Sequence, residues 1–483
     1  MDSRYWIKIE KVNNVYGRVT TNHPTIFGEL YKYMSIYADD YRFMPKYKMG
    51  VWDGKIPFIN KSGYFQKGLL KYVYNFIKNE DICIEVDPAL MERCEATDLA
   101  DITNEWMNEK YVPYRHQFEG ALAALKYQNC ILEHATSSGK SLTMSILIMY
   151  NLKKNRAKKI LVLVPGIGLV EQLSADFIDY GVPSKLIGKY YQDIKEPEKT
   201  IVISTWQSMY KQTELIKDFD MILVDEAHGV KAAMVRSVSE NAINASMRIG
   251  CTGTMPDTKC PRMQIEGALG PVVHTMTARQ LIDEKQASDI KIKIPYITYP
   301  KKITAKINKV SFDLEKEWLE KNDTRNEIIK KIVLKHHAAD HNALILVEHL
   351  DHADALLAKF KDIEGTTAFL VTGATPSVER EQVRQFTNVN KKVVIIATYG
   401  VFSVGVSINR LHTIIFASAG KSKIKTLQSI GRGLRLHKEK RKLILYDIGD
   451  NLHYSDKHLQ ERINIYDKAE FEIDMFEINL DKE

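Results

Sequence analysis

Ile160-Leu161-Val162-Leu163-Val164 carries no polar side chain and stops at Pro165-Gly166, and short runs of the same kind return through most of the chain. A strand that is apolar on both faces must be covered on both faces. A parallel sheet flanked by helices does this; a solvent-facing antiparallel sheet does not. Residues 131–132, 160–164, 201–203, 221–224 and 248–250 form a first series, and 343–347, 367–371, 393–397, 413–417 and 443–446 a second. Segments with helical spacing, such as 141–152, stand between successive runs. Right-handed crossovers turn that alternation into a doubly wound sheet. The expected fold class is α/β, with two doubly wound parallel-sheet domains in tandem.

The first hundred residues lack this alternation. Residues 42–78 hold eight basic side chains against one acid, Asp53, with Tyr41, Phe43, Tyr47, Trp52, Phe58, Tyr64 and Phe65 among and beside them. Residues 79–109 reverse the sign, with ten acids against one arginine, and read as a solvated face or linker. Pro88 and Pro113 help to set a boundary near 105–112. The 483 residues suit about three domains. The expected order is a small α+β domain over 1–108, sheet domains over 109–288 and 289–450, and a helical tail over 451–483. Residues 289–327, Lys-rich and extended at their start, read as the link between the sheet domains.

Lys and Arg exceed Asp and Glu only by 68 to 61, so a polyanion site has to come from local clustering. Arg42, Lys46, Lys48 and Lys55 are candidates to neutralise phosphates while exposed rings stack on unpaired bases. Alternating rings describe the core of a small domain equally well. Five cysteines without C-x-x-C spacing read as reduced thiols of a cytoplasmic protein, not as a zinc site. No charged-then-apolar leader opens the chain, and its apolar stretches fall short of the ~18–20 residues that span a bilayer, so no membrane partner is expected.

Residues 131–132 lead into Glu133-His134-Ala135-Thr136-Ser137-Ser138-Gly139-Lys140-Ser141, which opens a helical segment. Backbone N–H groups of Ala135, Thr136, Ser137, Ser138 and Gly139, converging at a helix N-terminus, would make an anion cradle. Lys140 then binds the outer phosphates as a point charge, and Ser141 puts its hydroxyl on Mg²⁺. His134 stands where the strict G-x-x-x-x-G-K-[ST] pattern has its first glycine, so the triplet alone is also compatible with a solvated turn. The run 221–224 supplies a second site, because it ends in Asp225-Glu226-Ala227-His228. Asp225 suits a metal held through water, and Glu226 suits a base that orients or deprotonates an attacking water.

Taken in order, these motifs resemble those of the superfamily 2 helicases across residues 112–450. Tyr114-Arg115-His116-Gln117 is similar to their adenine-reading segment. Residues 135–141 resemble motif I, 164–166 with 169–172 motif Ia, and 204–208 the segment that holds the tracked strand. Residues 225–228 resemble motif II, Cys251-Thr252-Gly253-Thr254 motif III, 397–407 motif V and 428–435 motif VI; Val371-Thr372-Gly373 followed by Arg380 is similar as well. The resemblance implies RecA-like domains with ATP and Mg²⁺ as cofactors. It places Gln117, Gly405 and Gln428 with the loop in holding the nucleotide, and His228, Thr252 and Thr254 in coupling hydrolysis to domain motion. Arg432 and Arg435, three apart on a helix expected over 425–436, would bring the missing cation to the γ-phosphate. Thr205, Thr398, Lys421 and Lys423 are candidates for nucleic-acid backbone contact. Three positions depart from the pattern: His134, Ser137 and Ser407.

Residues 39–45 and 50–56 resemble the N-terminal domain of UvsW-like phage branch-migration helicases, and 399–403 and 421–424 resemble their second unit. The expectation is an ATP-dependent DNA helicase or translocase that remodels branched DNA by branch migration, fork regression and unwinding of junctions and R-loops. Its partners would be branched or duplex DNA and RNA–DNA hybrids, and it would act as a monomer in the cytoplasm of an infected bacterial cell. Three other readings stay open: an RNA or RNA–DNA helicase with the same motor, the translocating subunit of a restriction system, and a nucleotide-gated annealing module. Glu226 speaks against the last, since a site that only binds needs no group to activate water.

Overall fold

The computed structural model describes residues 5–78, 82–229, 232–399, 408–418, 430, 431, 433, 434, 440 and 442–480. Gly405, Ser407, Lys421, Lys423, Gln428, Arg432 and Arg435 lie outside the described residues. The chain divides into two compact units, one of Met1–His134 and Gly139–Met276, the other of Ala135–Ser138 and Thr277–Glu483.

The first unit is built on an eight-stranded sheet in the order Ile194–Lys195, Ile187–Tyr191, Ile201–Thr205, Ile160–Val164, Met221–Asp225, Met247–Thr252, Asn129–His134 and Val272–Met276. All neighbours are parallel except the first pair. Every residue of Ile160–Val164, Ile201–Thr205 and Met221–Asp225 is buried, because each strand alternates between two cores. Val162, Ile203, Leu223 and Ile249 face the helices Lys140–Lys153 and Ile167–Asp179, while Leu161, Val202, Ile222 and Val224 pack with Trp206, Val238 and Leu269 on the other side. The strands Ile187–Tyr191 and Val272–Met276 are additional to those read from apolar runs. The first contains Gly188 and Lys189, and the second is mostly half-buried at the sheet edge, so neither presents a continuous apolar stretch.

The same unit carries the small α+β region expected at the N-terminus. Its sheet runs Tyr64–Gln66, Tyr16–Thr21, Trp6–Lys11 and Cys83–Val86, with helices Pro24–Tyr33 and Leu70–Ile77. Ile7, Ile9, Val19, Leu30, Met34, Phe65, Leu69 and Val73 form its core, and Met263 from helix Lys259–Leu269 completes it. The acidic stretch read as a solvated face or linker is structured from residue 82 onward. It supplies the strand Cys83–Val86 and the helix Leu99–Trp106, whose Leu99 and Ile102 enter the core of the larger sheet. Its acids are spaced so that an apolar face remains.

The second unit holds a parallel sheet in the order Thr367–Val371, Val393–Thr398, Ala343–Val347, Thr413–Phe416, Lys442–Asp447 and Asp289–Thr298. Gly449–Asp450 continues along the side of Asp289–Thr298 that Lys442–Asp447 occupies, and Glu472–Asn479 lies against its outer side. Two expectations change here. Asp289–Thr298, read as the start of a link, is a ten-residue strand whose isoleucines point inward while its lysines stay half-exposed. The tail read as helical has the helix His453–Lys468 and then the strand Glu472–Asn479, which pairs in parallel with residues 291–298. Unpaired, that edge would present open N–H and C=O groups along its length. Buried ion pairs tie this end of the chain inward: the Arg325 guanidinium donates to Asp450 at 3.1 Å, and Arg462 with the Tyr466 hydroxyl donates to Asp447 at 2.8 and 2.7 Å. Among the described residues no helix is long and apolar enough to cross a membrane.

Candidate active site

Register brings the sequence candidates to one edge of the first sheet. Asp225 stands opposite Cys251, and Thr252 opposite Glu133, in strands that all run the same way. The chain therefore leaves Asn129–His134, Met221–Asp225 and Met247–Thr252 on the same carboxyl side, where doubly wound sheets hold their ligands. The phosphate-loop segment, Asp225 to His228, and Thr252 to Thr254 all start there.

Helix Lys140–Lys153 begins after Gly139, whose φ of +80° is left-handed. That conformation favours glycine, and a Cβ there would also stand 2.1 Å from Gln117 Nε2 and displace that amide. Gln117 lies on helix Arg115–Tyr127. Its Oε1 accepts from Tyr114 N at 2.8 Å and its Nε2 donates to Gly139 O at 3.5 Å, so the expected adenine reader is held against the phosphate loop. Lys140 Nζ donates to His134 O at 3.2 Å and lies 3.9 Å from Glu226 Oε1. Ser141 Oγ is hydrogen-bonded to the Tyr180 hydroxyl at 3.0 Å.

Glu226 follows the buried Asp225 with φ +50°, a left-handed conformation that L side chains adopt at a cost and that clusters at functional sites. Its other oxygen is 3.5 Å from His228 Nδ1. That nitrogen is also hydrogen-bonded to Thr252 Oγ1, which gives its own proton to Thr254 O at 3.1 Å. With the threonine proton committed, His228 Nδ1 must be the donor. Burial lowers the His228 pKa, which keeps the ring neutral at pH 7. The three residues expected to couple hydrolysis to motion, His228, Thr252 and Thr254, thus form one chain starting at Glu226.

The departure at His134 has a structural counterpart. The imidazole is buried and its Nε2 lies 2.8 Å from His274 Nδ1. A Cβ on Gly120 would meet it at 2.7 Å, so the glycine missing from the loop is matched by one on the helix that carries Gln117. Burial pushes the His134 pKa down to about 3, and burial likewise lowers that of His274. His274 Nε2 faces the Glu119 carboxylate at 3.9 Å and keeps its proton there, so His134 Nε2–H is the donor between the rings. Tyr180, His274 and Glu119 were not among the sequence candidates. They belong to no motif, and only the fold brings them to Ser141 and His134.

The nucleotide and metal test favourably against these residues. A lysine at a helix N-terminus suits phosphate, and the side-chain donors expected on a cation, Ser141 and Asp225, are hard oxygens of the kind Mg²⁺ takes.

The nucleic-acid candidates separate by location. Arg42, Lys46 and Lys48 are exposed, whereas Lys55 is half-buried with its Nζ 4.9 Å from the centre of the Tyr37 ring. Two further lysines of the basic segment turn inward: Lys67 is largely buried, and Lys71 pairs with the buried Glu266 at 2.8 Å. Among the rings, Phe65 is core and Phe58 packs against it, while Phe43 and Tyr47 are exposed. Thr205 is buried as a helix N-cap, accepting from Ser208 N at 3.3 Å. Thr398 ends the strand Val393–Thr398 half-buried.

Comparison with known proteins agrees along the chain. Residues 7–87 match the family described as DNA helicase UvsW, N-terminal; residues 102–257 match Type III restriction enzyme, res subunit; and residues 324–437 match Helicase conserved C-terminal domain. The ATP-dependent DNA helicase uvsW of Enterobacteria phage T4 is 30% identical, covering 98% of this chain and all of that protein. A putative helicase of a Sulfolobus islandicus filamentous virus is 26% identical over 66% of this chain and 60% of its own. The crystal structure of T4 UvsW superposes with a TM-score of 0.54 at 28% identity, covering 98% of this chain and all of that one. A fragment of a putative HsdR subunit of a type I restriction enzyme from Vibrio vulnificus shares the fold at 16% identity, with a TM-score of 0.61 over 86% of this chain and 75% of that one.

Proposed function

The chain belongs to the superfamily 2 helicases of the UvsW type, as an ATP-dependent DNA helicase, and from that premise we propose that its substrate is branched DNA and that its sheet-edge residues hydrolyse ATP with Mg²⁺. The observation that carries the reading is the position of Glu226, left-handed, 3.9 Å from Lys140 and joined through His228 to Thr252 and Thr254.

Phosphoryl transfer to water needs positioning and charge neutralisation more than covalent chemistry. Lys140 and the backbone of 135–139 hold the outer phosphates. Ser141, and Asp225 through water, would hold Mg²⁺, which would supply neutralising charge to the phosphates. Glu226 orients the attacking water and takes its proton. Replacing the Lys140–Glu226 contact by a phosphate frees that carboxylate to turn toward the water, and His228 passes the change to Thr252 and Thr254. Gln117, Gly405 and Gln428 hold the rest of the nucleotide. Arg432 and Arg435 bring positive charge to the γ-phosphate, a contribution of ~10³–10⁵ in rate for such arginines. Thr398, Lys421 and Lys423 contact the nucleic-acid backbone without reading sequence, and the 1–108 region, through Arg42, Lys46, Lys48 and Lys55, recognises the branch. Thr205 acts there indirectly, by holding the turn at Trp206 in place. The protein works as a monomer in the cytoplasm of a phage-infected bacterium.

The test compares ATP-driven strand separation on forked, four-way and R-loop substrates at two salt concentrations. Branched DNA is separated fastest, and binding weakens steeply with salt. Equal rates on branched and unbranched duplex would refute the substrate assignment, and a preference for the R-loop would favour RNA–DNA hybrids.

A further inference from the structure

Between the paired strands Ser35–Tyr37 and Lys55–Pro57 the chain makes a loop in which every residue from 42 to 51 is exposed. Its backbone is nevertheless closed turn by turn. Phe43 N donates to Asp40 O, Tyr47 N and Lys48 N to Met44 O, Met49 N to Pro45 O, and Val51 N to Lys46 O. Beneath it the Tyr37 and Tyr41 rings stack at 4.6 Å, and Tyr47 meets Tyr41 edge-on at 4.8 Å. The same loop carries Phe43, Met49 and Val51, which are 74%, 68% and 74% exposed. Arg42, Lys46 and Lys48 are interspersed with them along the chain, and residues 42–51 contain no acid.

A built loop that presents bare apolar side chains among cationic ones marks an interaction surface. The cations select a polyanion, and the apolar side chains need flat apolar faces. Bases at a branch point offer both at once, because they are unstacked on one side and flanked by phosphates. A continuous duplex hides the base faces. The stem of the loop is anchored to the segment that follows Thr254: Asp39 accepts from Thr258 Oγ1 at 2.8 Å, and Thr258 immediately precedes helix Lys259–Leu269.

We infer that residues 42–51 are a strand-separating wedge, in which Phe43, Met49 and Val51 stack on the bases at a DNA branch point while Arg42, Lys46 and Lys48 hold the flanking phosphates. The Asp39–Thr258 contact ties the wedge to the segment that follows the coupling residues. This inference rests on the branched-DNA reading above.

The full-length protein is compared with a variant combining Phe43→Ala, Met49→Ala and Val51→Ala on a three-way DNA junction. Loss of base stacking slows ATP-driven separation about 10-fold or more. The thermal midpoint stays at the parental value, because exposed side chains contribute little to stability. Phe43→Trp keeps separation, and its added indole emission is quenched by the junction but not by a continuous duplex. Parental separation rates in the triple variant, or equal emission with junction and duplex, overturn the wedge; a tip made for a protein or lipid partner would give that result. If the unaltered protein separates no branched DNA, the substrate proposal has failed, and the indole response to the junction still decides the tip.

Discussion

Glu266 fastens the N-terminal region to the first large sheet, and its removal has a calculable cost. The carboxylate is fully buried on helix Lys259–Leu269 and accepts from the Tyr72 hydroxyl at 2.7 Å, Lys71 Nζ at 2.8 Å and Arg262 Nε at 3.1 Å. Lys71 and Arg262 are 37% and 38% exposed, so each recovers water when the carboxylate is lost, and each pair counts for at most ~1 kcal/mol. Tyr72 is half-buried, and its bond to a charged acceptor accounts for ~1.5–3 kcal/mol. Glu266→Ala should therefore lower stability by roughly 2–4 kcal/mol. Glu266→Gln keeps an acceptor for Tyr72 and should lose about half as much. Urea unfolding at constant slope measures the difference through the midpoint. Hydrogen exchange across Leu70–Ile77 should rise in the alanine variant. A loss below ~0.5 kcal/mol, the level of ordinary surface substitutions, or equal losses in the two variants, would show that the carboxylate is not the fastening.

Other expectations follow from single sites. Glu226→Gln should keep ATP binding and lose hydrolysis by ~10²-fold or more, in a phosphate-release assay with parallel nucleotide titration; unchanged turnover removes Glu226 from its role. Lys140→Ala should lose both nucleotide affinity and strand separation. Burial pushes the Lys67 pKa down from 10.5 to about 7, with Arg248 and Lys11 adding to the effect. The unfolded chain then binds the extra proton between pH 7 and 10.5, so stability rises with pH across that window. Lys67→Met should flatten the rise and raise the midpoint by a few degrees, ~4 °C per kcal/mol or less in a chain this long. Burial lowers His134 and His352 to about 3 and His336 and His337 to about 4. Because these folded-state values lie below the unfolded one, their stability is complete above about pH 6.5 and is lost as pH falls toward 3–4. His352→Gln should reduce the acid slope of the denaturation midpoint by about one proton.

Contacts join Glu226, His228, Thr252 and Thr254, and a few residues beyond Thr254 the Thr258 hydroxyl donates to Asp39, 219 residues away in the sequence.

Residues 160–164 and 221–225 needed no partner to be legible: a segment apolar on both faces has few places to go except the middle of a covered parallel sheet. The phosphate-loop lysine and the two carboxylates were legible for a similar reason, since their chemistry depends on a local order of residue types and on a strand that ends beside them. Asp289–Thr298 was read as the extended start of a link because residues 289–327 are Lys-rich, and such a segment becomes part of a sheet only when edges meet it. Those edges come from residues 442–447 and 472–479, far along the chain. The same holds for Lys67 and Lys71, which composition counted with the DNA-facing cations: burial lowers the pKa of Lys67, and Lys71 pairs with the buried Glu266. Local periodicity thus set the fold class, and motif chemistry the candidate groups for the reaction. Which charged side chains face water, which strands close the sheets, and why a histidine can stand in the loop beside Gly120 were decided by contacts between distant residues, and these exist only after the chain has folded.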